Sequence, residues 1–262
     1  EEILEGERVD IRAPWGGGQT VENRTLPINL PGQSTNADWT QRQGTASERP
    51  RHPALSNTPQ LVWSTPIGTG DSRRTRLTTD PVAQGSRIFT LDAQTRVQAT
   101  STAGAALWST DLRPARGARG SASGGALAVS GNRLFVASAY AFVAALDIET
   151  GTELWRVDFD SPLTGSPAVQ GDTVFVSAID STLWALDAGS GRIQWTLPGT
   201  PSLATVARGS APAIAGDLVI FPTQAGELTA ARRSNGALTW TTVAAGRRLG
   251  AALSTISAIT GD

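Results

Sequence analysis

Four times in this chain a glycine stands four residues ahead of a tryptophan: Gly104 and Trp108, Gly151 and Trp155, Gly191 and Trp195, Gly236 and Trp240. A further glycine heads each copy, at Gly85, Gly131, Gly171 and Gly216, followed by apolar runs such as Leu134-Phe135-Val136 and Val174-Phe175-Val176. The distance from that glycine to the tryptophan is 24 residues in the last three copies and 23 in the first. Self-similarity at a fixed period is the mark of a repeat architecture, in which no single unit can bury its own faces and neighbours must stack.

The clearest copy alternates β-prone runs with turn residues. Pro167-Ala168-Val169 leads to Gly171-Asp172, then Thr173 to Ser177, Asp180-Ser181, Leu183 to Leu186, the turn from Asp187 to Gly191, and Ile193 to Leu197. That order predicts a four-stranded meander. Asp147 and Asp187 are expected to accept amide bonds inside their turns, and Gly151 and Gly191 to close them at positive φ. Thr100 and Arg232 take the aspartate's place in the other two copies, where the turns are expected to be less well fixed.

Units of this size gain a core by radial stacking, which predicts an all-β fold, a β-propeller of four-stranded antiparallel blades. Residues 64–112, 113–157, 158–197 and 198–242 supply four full repeats. Trp63 reads as the last strand of a partial blade, and Arg247 opens another, so a larger ring of about eight blades is expected. Small residues in each first strand suit the crowded axis. Trp108, Trp155, Trp195 and Trp240 then fall on the outermost strands. Their fixed place in the repeat favours packing between blades over stacking on a ligand. Trp184, on a third strand, is expected to fill the core.

Residues 59–262 are thus assigned to the propeller, incomplete at its C-terminus, and 1–58 to a polar N-terminal linker or extension carrying Gly16-Gly17-Gly18, Pro27, Pro31 and Pro50. Within it, Asn36 to Gln41 is expected to lay one aromatic residue, Trp39, against the outside of the ring. Blade connections vary in length where the repeat does not, and they are expected to carry the binding face.

Composition narrows the chemistry. All 22 basic residues are arginine, against 23 acidic ones, and the net charge of −1 offers no general attraction to nucleic acid. Without lysine or cysteine there is no Schiff base, thiolate or disulfide framework, and with one histidine, His52, there is no histidine-rich metal site. His52 and the clusters Arg73-Arg74-Arg76 and Arg113, Arg116 and Arg119 are expected in solvated loops. No nucleophile, base and orienting group come together in the pattern, so no catalytic residues are assigned. No apolar run reaches the roughly 18 residues of a membrane helix. Glu1 reads as a processed or trimmed start.

The run Ala-Leu-Asp-x-x-x-Gly-x-x-x-Trp, at Ala145 to Trp155 and Ala185 to Trp195, resembles the repeat of pyrroloquinoline-quinone-like β-propellers over roughly residues 59–262. Within that superfamily, Pro201-Ser202-Leu203 and Arg208-Gly209-Ser210-Ala211-Pro212 resemble the loop of the BamB family of lipoproteins, which assist β-barrel assembly at the outer membrane. The acidic opening around Gly6-Glu7-Arg8 is similar as well. The resemblance implies a non-enzymatic periplasmic scaffold without a cofactor, docking on the barrel-inserting subunit through Leu203, Val206, Arg208 and Gly209. It also implies a membrane tether only through a lipidated cysteine upstream of Glu1. Two departures stand out: the loop is one residue longer, and Ser257-Ala258-Ile259-Thr260 replaces a pair of carboxylates. A fragment of a quinone-dependent dehydrogenase and a ligand-sensing ectodomain are the alternatives. The vicinal cysteines typical of that dehydrogenase group are absent.

Overall fold

Among the described residues the chain forms sixteen strands and no helix. The structure, a computed structural model, describes residues 29–47, 52–73, 75–114, 123–163, 165–200, 202 and 210–243. It divides into two units, Glu1–Gly32 and Gln33–Asp262. The rest of this section concerns the second.

Its strands form four separate antiparallel meanders. Blade 1 is β1 (Val82–Gln84), β2 (Arg87–Leu91), β3 (Arg96–Ser101) and β4 (Ala106–Asp111). Blade 2 is β5 (Gly125–Ser130), β6 (Arg133–Ser138), β7 (Phe142–Asp147) and β8 (Glu153–Asp158). Blade 3 is β9 (Ala168–Gln170), β10 (Thr173–Ser177), β11 (Leu183–Asp187) and β12 (Ile193–Leu197). Blade 4 is β13 (Ala213–Ala215), β14 (Leu218–Pro222), β15 (Glu227–Arg232) and β16 (Leu238–Val243). The first strands approach one another, β1 to β5, β5 to β9 and β9 to β13, which places them innermost. These are β-propeller blades, as the repeat requires.

Alternation along the strands builds the core between blades. In blade 2, Leu134, Val136, Ala144 and Leu146 face blade 1, while Phe135, Ala137, Val143 and Ala145 face blade 3. A period of two delivers one apolar set to each neighbour. Register adds a cross-strand row: Phe135 pairs with Ala145 and Ala145 with Trp155. The small central alanine lets the outer rings meet, at 6.0 Å between centroids. Phe89 with Trp108 and Phe175 with Trp195 repeat this contact at 5.9 and 5.8 Å. Blade 4 substitutes Ile220, paired through Ala230 with Trp240.

Trp108, Trp155 and Trp195 also reach the next blade. Trp108 Nε1 donates to Ile148 O at 3.0 Å, Trp155 Nε1 to Ala188 O at 3.1 Å and Trp195 Nε1 to Arg233 O at 2.9 Å. The indole lies on the glycine of that blade's outer turn. A Cβ on Gly151 would meet Trp108 at 2.4 Å, and one on Gly191 would meet Trp155 at 2.6 Å. These glycines therefore have a second role besides their positive φ of 71° and 75°. They make room for the preceding blade's tryptophan. Just before every tryptophan the register between the third and fourth strands slips, a bulge that bends the strand and re-aims its side chains.

Trp63 takes the same latch position, donating to Thr102 O at 2.9 Å and covering Gly104. Residues 59–67 form no strand, since no partner strand lies beside them among the described residues. Trp184 packs into the core between blades 2 and 3, edge-on to Phe159 at 5.0 Å.

The axis shows what sequence patterning did not reveal. Trp39 lies along the innermost strand of blade 1 instead of the ring's outside: its N–H and C=O exchange 2.8 Å bonds with Ala83. Thr40 O accepts Val129 N–H at 2.8 Å, and Ala46 O accepts Ile214 N–H at 3.0 Å. Between them the buried Gln41 amide substitutes for a strand, donating from Nε2 to Val169 O at 2.9 Å and accepting Val169 N–H at 3.2 Å. Ala83, Val129, Val169 and Ile214 are equivalent, each two residues before its turn glycine. One aperiodic strap thus satisfies the same axial N–H in four successive blades, groups that would otherwise be costly to leave unpaired. Gly44, at φ 97°, lets it turn back on itself between Gln41 and Gly44.

Candidate functional site

A meander places its first and third turns at one rim and its middle turn at the other, together with the connection to the next blade. The connecting rim holds the loop that sequence reading singles out. Leu203, Val206, Arg208 and Gly209 themselves lie outside the described residues, as do Arg74, Arg116, Arg119 and everything from 244 on. The loop's two stems are described. Gly199, just beyond β12, packs so closely on the middle turn of blade 3 that a Cβ would sit 2.5 Å from Ser181 O. Ser210, just ahead of β13, brings its carbonyl to 2.7 Å from the corresponding point on Gly165. The loop leaves from an outermost strand and returns at an innermost one.

The base under those stems is cross-braced. Ser181 Oγ accepts the Gln224 N–H at 2.9 Å, joining the middle turns of blades 3 and 4. Ile179 N–H donates to Pro162 O at 2.9 Å, tying the preceding connection to the same turn. Each middle turn uses a left-handed residue at its matching position: Thr95 at φ 68°, Ala141 at 60°, Ser181 at 70° and Gly226 at 80°. Only the fourth blade uses the residue that takes this conformation without strain.

The opposite rim carries the repeated turns. Asp147 Oδ1 accepts Glu149 N–H and Thr150 N–H at 2.9 Å each, and Thr150 Oγ1–H at 3.0 Å. Asp187 Oδ1 accepts Ser190 N–H at 2.8 Å and Ser190 Oγ–H at 2.7 Å. The Thr150 amide and hydroxyl bonds hold the Asp147 carboxyl below the ordinary carboxylate range, and the Ser190 hydroxyl and amide do the same for Asp187. Each aspartate caps its own turn through Oδ1. Where Arg232 replaces the aspartate, the turn keeps its backbone closure, Gly236 N–H to Arg232 O at 2.8 Å, and Asn235 caps it by accepting Ala237 N–H at 3.0 Å. In blade 1, Ser101 Oγ accepts Ala105 N–H at 3.1 Å. Neighbouring residues thus supply caps in both turns that lack the aspartate.

Arg113 is anchored through Asp111 and Gln94. Its hydrogen bond holds the Asp111 carboxyl below the usual range. His52 is half-buried. Among the described residues no group of three or more His, Asp or Glu side chains is placed to hold a metal ion.

Comparison with known proteins adds a family. A family model described as outer membrane protein assembly factor BamB matches residues 93–262. The BamB assembly factor of Yersinia pestis is 32% identical over 191 residues, covering 70% of this chain and 47% of that protein. That of Moranella endobia is 28% identical over 194 residues, covering 70% and 48%. The chain therefore spans about half the length of the curated relatives it matches. Among solved structures, a quinohemoprotein alcohol dehydrogenase from Pseudomonas putida is similar at a TM-score of 0.61 and 15% identity, over 79% of this chain and 40% of that one. That likeness is one of fold.

Proposed function

Because the chain belongs to the BamB family of outer membrane protein assembly factors, we propose that it is a non-catalytic periplasmic scaffold of the β-barrel assembly machinery. The observation that carries this reading is the family match across 93–262, which includes the whole of the 201–209 loop. In this reading the blades hold the loop's stems, and the contact residues are Leu203 and Val206 as apolar anchors, Arg208 as a planar donor fork, and Gly209. The partner is the barrel-inserting subunit. Nucleic acid is no partner for a chain of net charge −1. Attachment to the membrane is through an upstream lipid anchor. The shared fold with quinone enzymes does not by itself bring their chemistry, since function follows site residues and not architecture.

The test is capture of the barrel-assembly complex by the tagged chain, with Arg208→Glu in parallel. Capture by the wild type and its loss in the variant support the reading. Equal capture by Arg208→Glu removes the proposed contact, and no capture by the wild type removes the assembly role.

A further inference from the structure

The seams between blades open differently at the rim of the repeated turns. Two residues after the turn glycine, the second strand of each blade begins with Arg87, Arg133, Thr173 and Leu218 in blades 1 to 4. In blades 1 to 3 that side chain shares a face with the phenylalanine two residues on, which packs toward the next blade. The outer turn of the next blade begins with Asp147, Asp187 or Arg232 in blades 2, 3 and 4. In the first seam Arg87 crosses to Glu149, the neighbour of the Asp147 turn, in an ion pair. In blade 2, Arg133 holds the equivalent position and donates to Asn132 Oδ1 at 3.3 Å.

The third seam reverses both choices. Thr173 replaces the arginine and Arg232 replaces the acid, and a cavity of about 650 Å3 lies there, walled by Thr173, Phe175, Leu218, Arg232, Arg233 and Thr239 among others. Its cationic groups are incompletely used. Arg233 Nη1 donates to Gln170 Oε1 at 2.7 Å and Nη2 is 4.0 Å from the exposed Asp217 carboxylate, but its buried Nε has no partner. Arg232 is exposed and forms no ion pair among the described residues. Leu218 and Phe175 supply its apolar lining, and Asp217 and Ser234 complete the wall.

We propose that this slot between the third and fourth blades is a binding site for a small carboxylic acid, its carboxylate held by Arg232 and Arg233 and its apolar or aromatic body resting on Leu218. Guanidinium groups match carboxylates in geometry as well as charge. In the first seam an arginine of the chain, Arg87, already stands paired with an acid, Glu149.

The experiment is a calorimetric titration of the full chain with phenylacetate and, separately, with its neutral counterpart phenylacetamide. The expected result is saturable binding of phenylacetate, with the amide weaker by about tenfold or more. Thr173→Arg installs the residue already carried by blades 1 and 2, and Arg232→Asp installs the residue of the other two turns. Both variants are expected to keep the wild-type circular dichroism and melting temperature while binding phenylacetate at least about tenfold less tightly. No saturation by the wild type, equal binding of the amide, or wild-type affinity in a folded Thr173→Arg would each overturn the site. Should Thr173→Arg fail to fold, Arg232→Asp alone decides it on the same criterion.

Discussion

The outer and inner edges of this propeller solve the same problem in opposite ways. At the periphery the contact is repeated: the tryptophan of one blade donates to a turn carbonyl of the next and lies on that turn's glycine, at Trp63, Trp108, Trp155 and Trp195. At the axis it is made once, by residues 39–46, which contribute to the innermost strand of every described blade. A latch couples two neighbours, whereas the strap couples all four. Loss of a latch should therefore loosen one seam, and loss of the strap should be felt throughout.

The largest effect is expected from Trp155→Ala, which removes a half-buried indole, its contact with Phe135 and its hydrogen bond, for about 3 kcal/mol of stability. Hydrogen exchange should place the loosening at the seam between blades 2 and 3. Loosening spread evenly over four blades would erase the distinction between latch and strap. Gln41→Glu comes next. At neutral pH a carboxylate cannot donate to Val169 O, and the mismatch should cost about 2 kcal/mol. Burial and that carbonyl both favour the protonated form, so the variant's folded pKa is raised. Its stability relative to wild type should then be greatest at acid pH and fall as pH rises through that pKa, in urea midpoints read against pH. A constant deficit would mean that the amide's donor is not what matters.

Smaller is the gain expected from Ala141→Gly, about 1 kcal/mol, as glycine takes the left-handed turn without strain. A thermal melt unchanged or lowered would contradict this. The smallest effect concerns the exposed turn carboxyls. Asp147 and Asp187 titrate below their unfolded values, so their contribution is complete above the unfolded pKa and fades as pH falls through the folded one. Asp187→Asn should accordingly differ from wild type at neutral pH and converge with it in acid, in the same urea series.

How far the sequence revealed this follows from periodicity. The Phe135, Ala145, Trp155 row and the Asp187-to-Gly191 turn recur, so their strands could be placed almost to the residue. The closeness of each glycine to the previous blade's tryptophan was hidden, because the pairing crosses from one repeat to the next. The strap was hidden for another reason. Thr40 and Gln41 are polar, follow no period and act through backbone or amide groups, which leave no pattern in a list of side chains. The cationic slot could have been found by aligning Arg87, Arg133, Thr173 and Leu218, since the break at Thr173 and its counterpart at Arg232 are plain once the repeats are superposed. The loop at Leu203 to Gly209 was reached by resemblance alone, for nothing in its composition separates a partner contact from an ordinary connection.

The most direct measurement of the central claim is hydrogen–deuterium exchange on this chain, alone and with the periplasmic domains of the barrel-inserting subunit. The account predicts new protection over 198–212 and the adjoining turn around Ser181, with the rim of Asp147 and Asp187 unchanged. Protection at the Asp147 and Asp187 turns instead, or none anywhere at saturating partner, would contradict it.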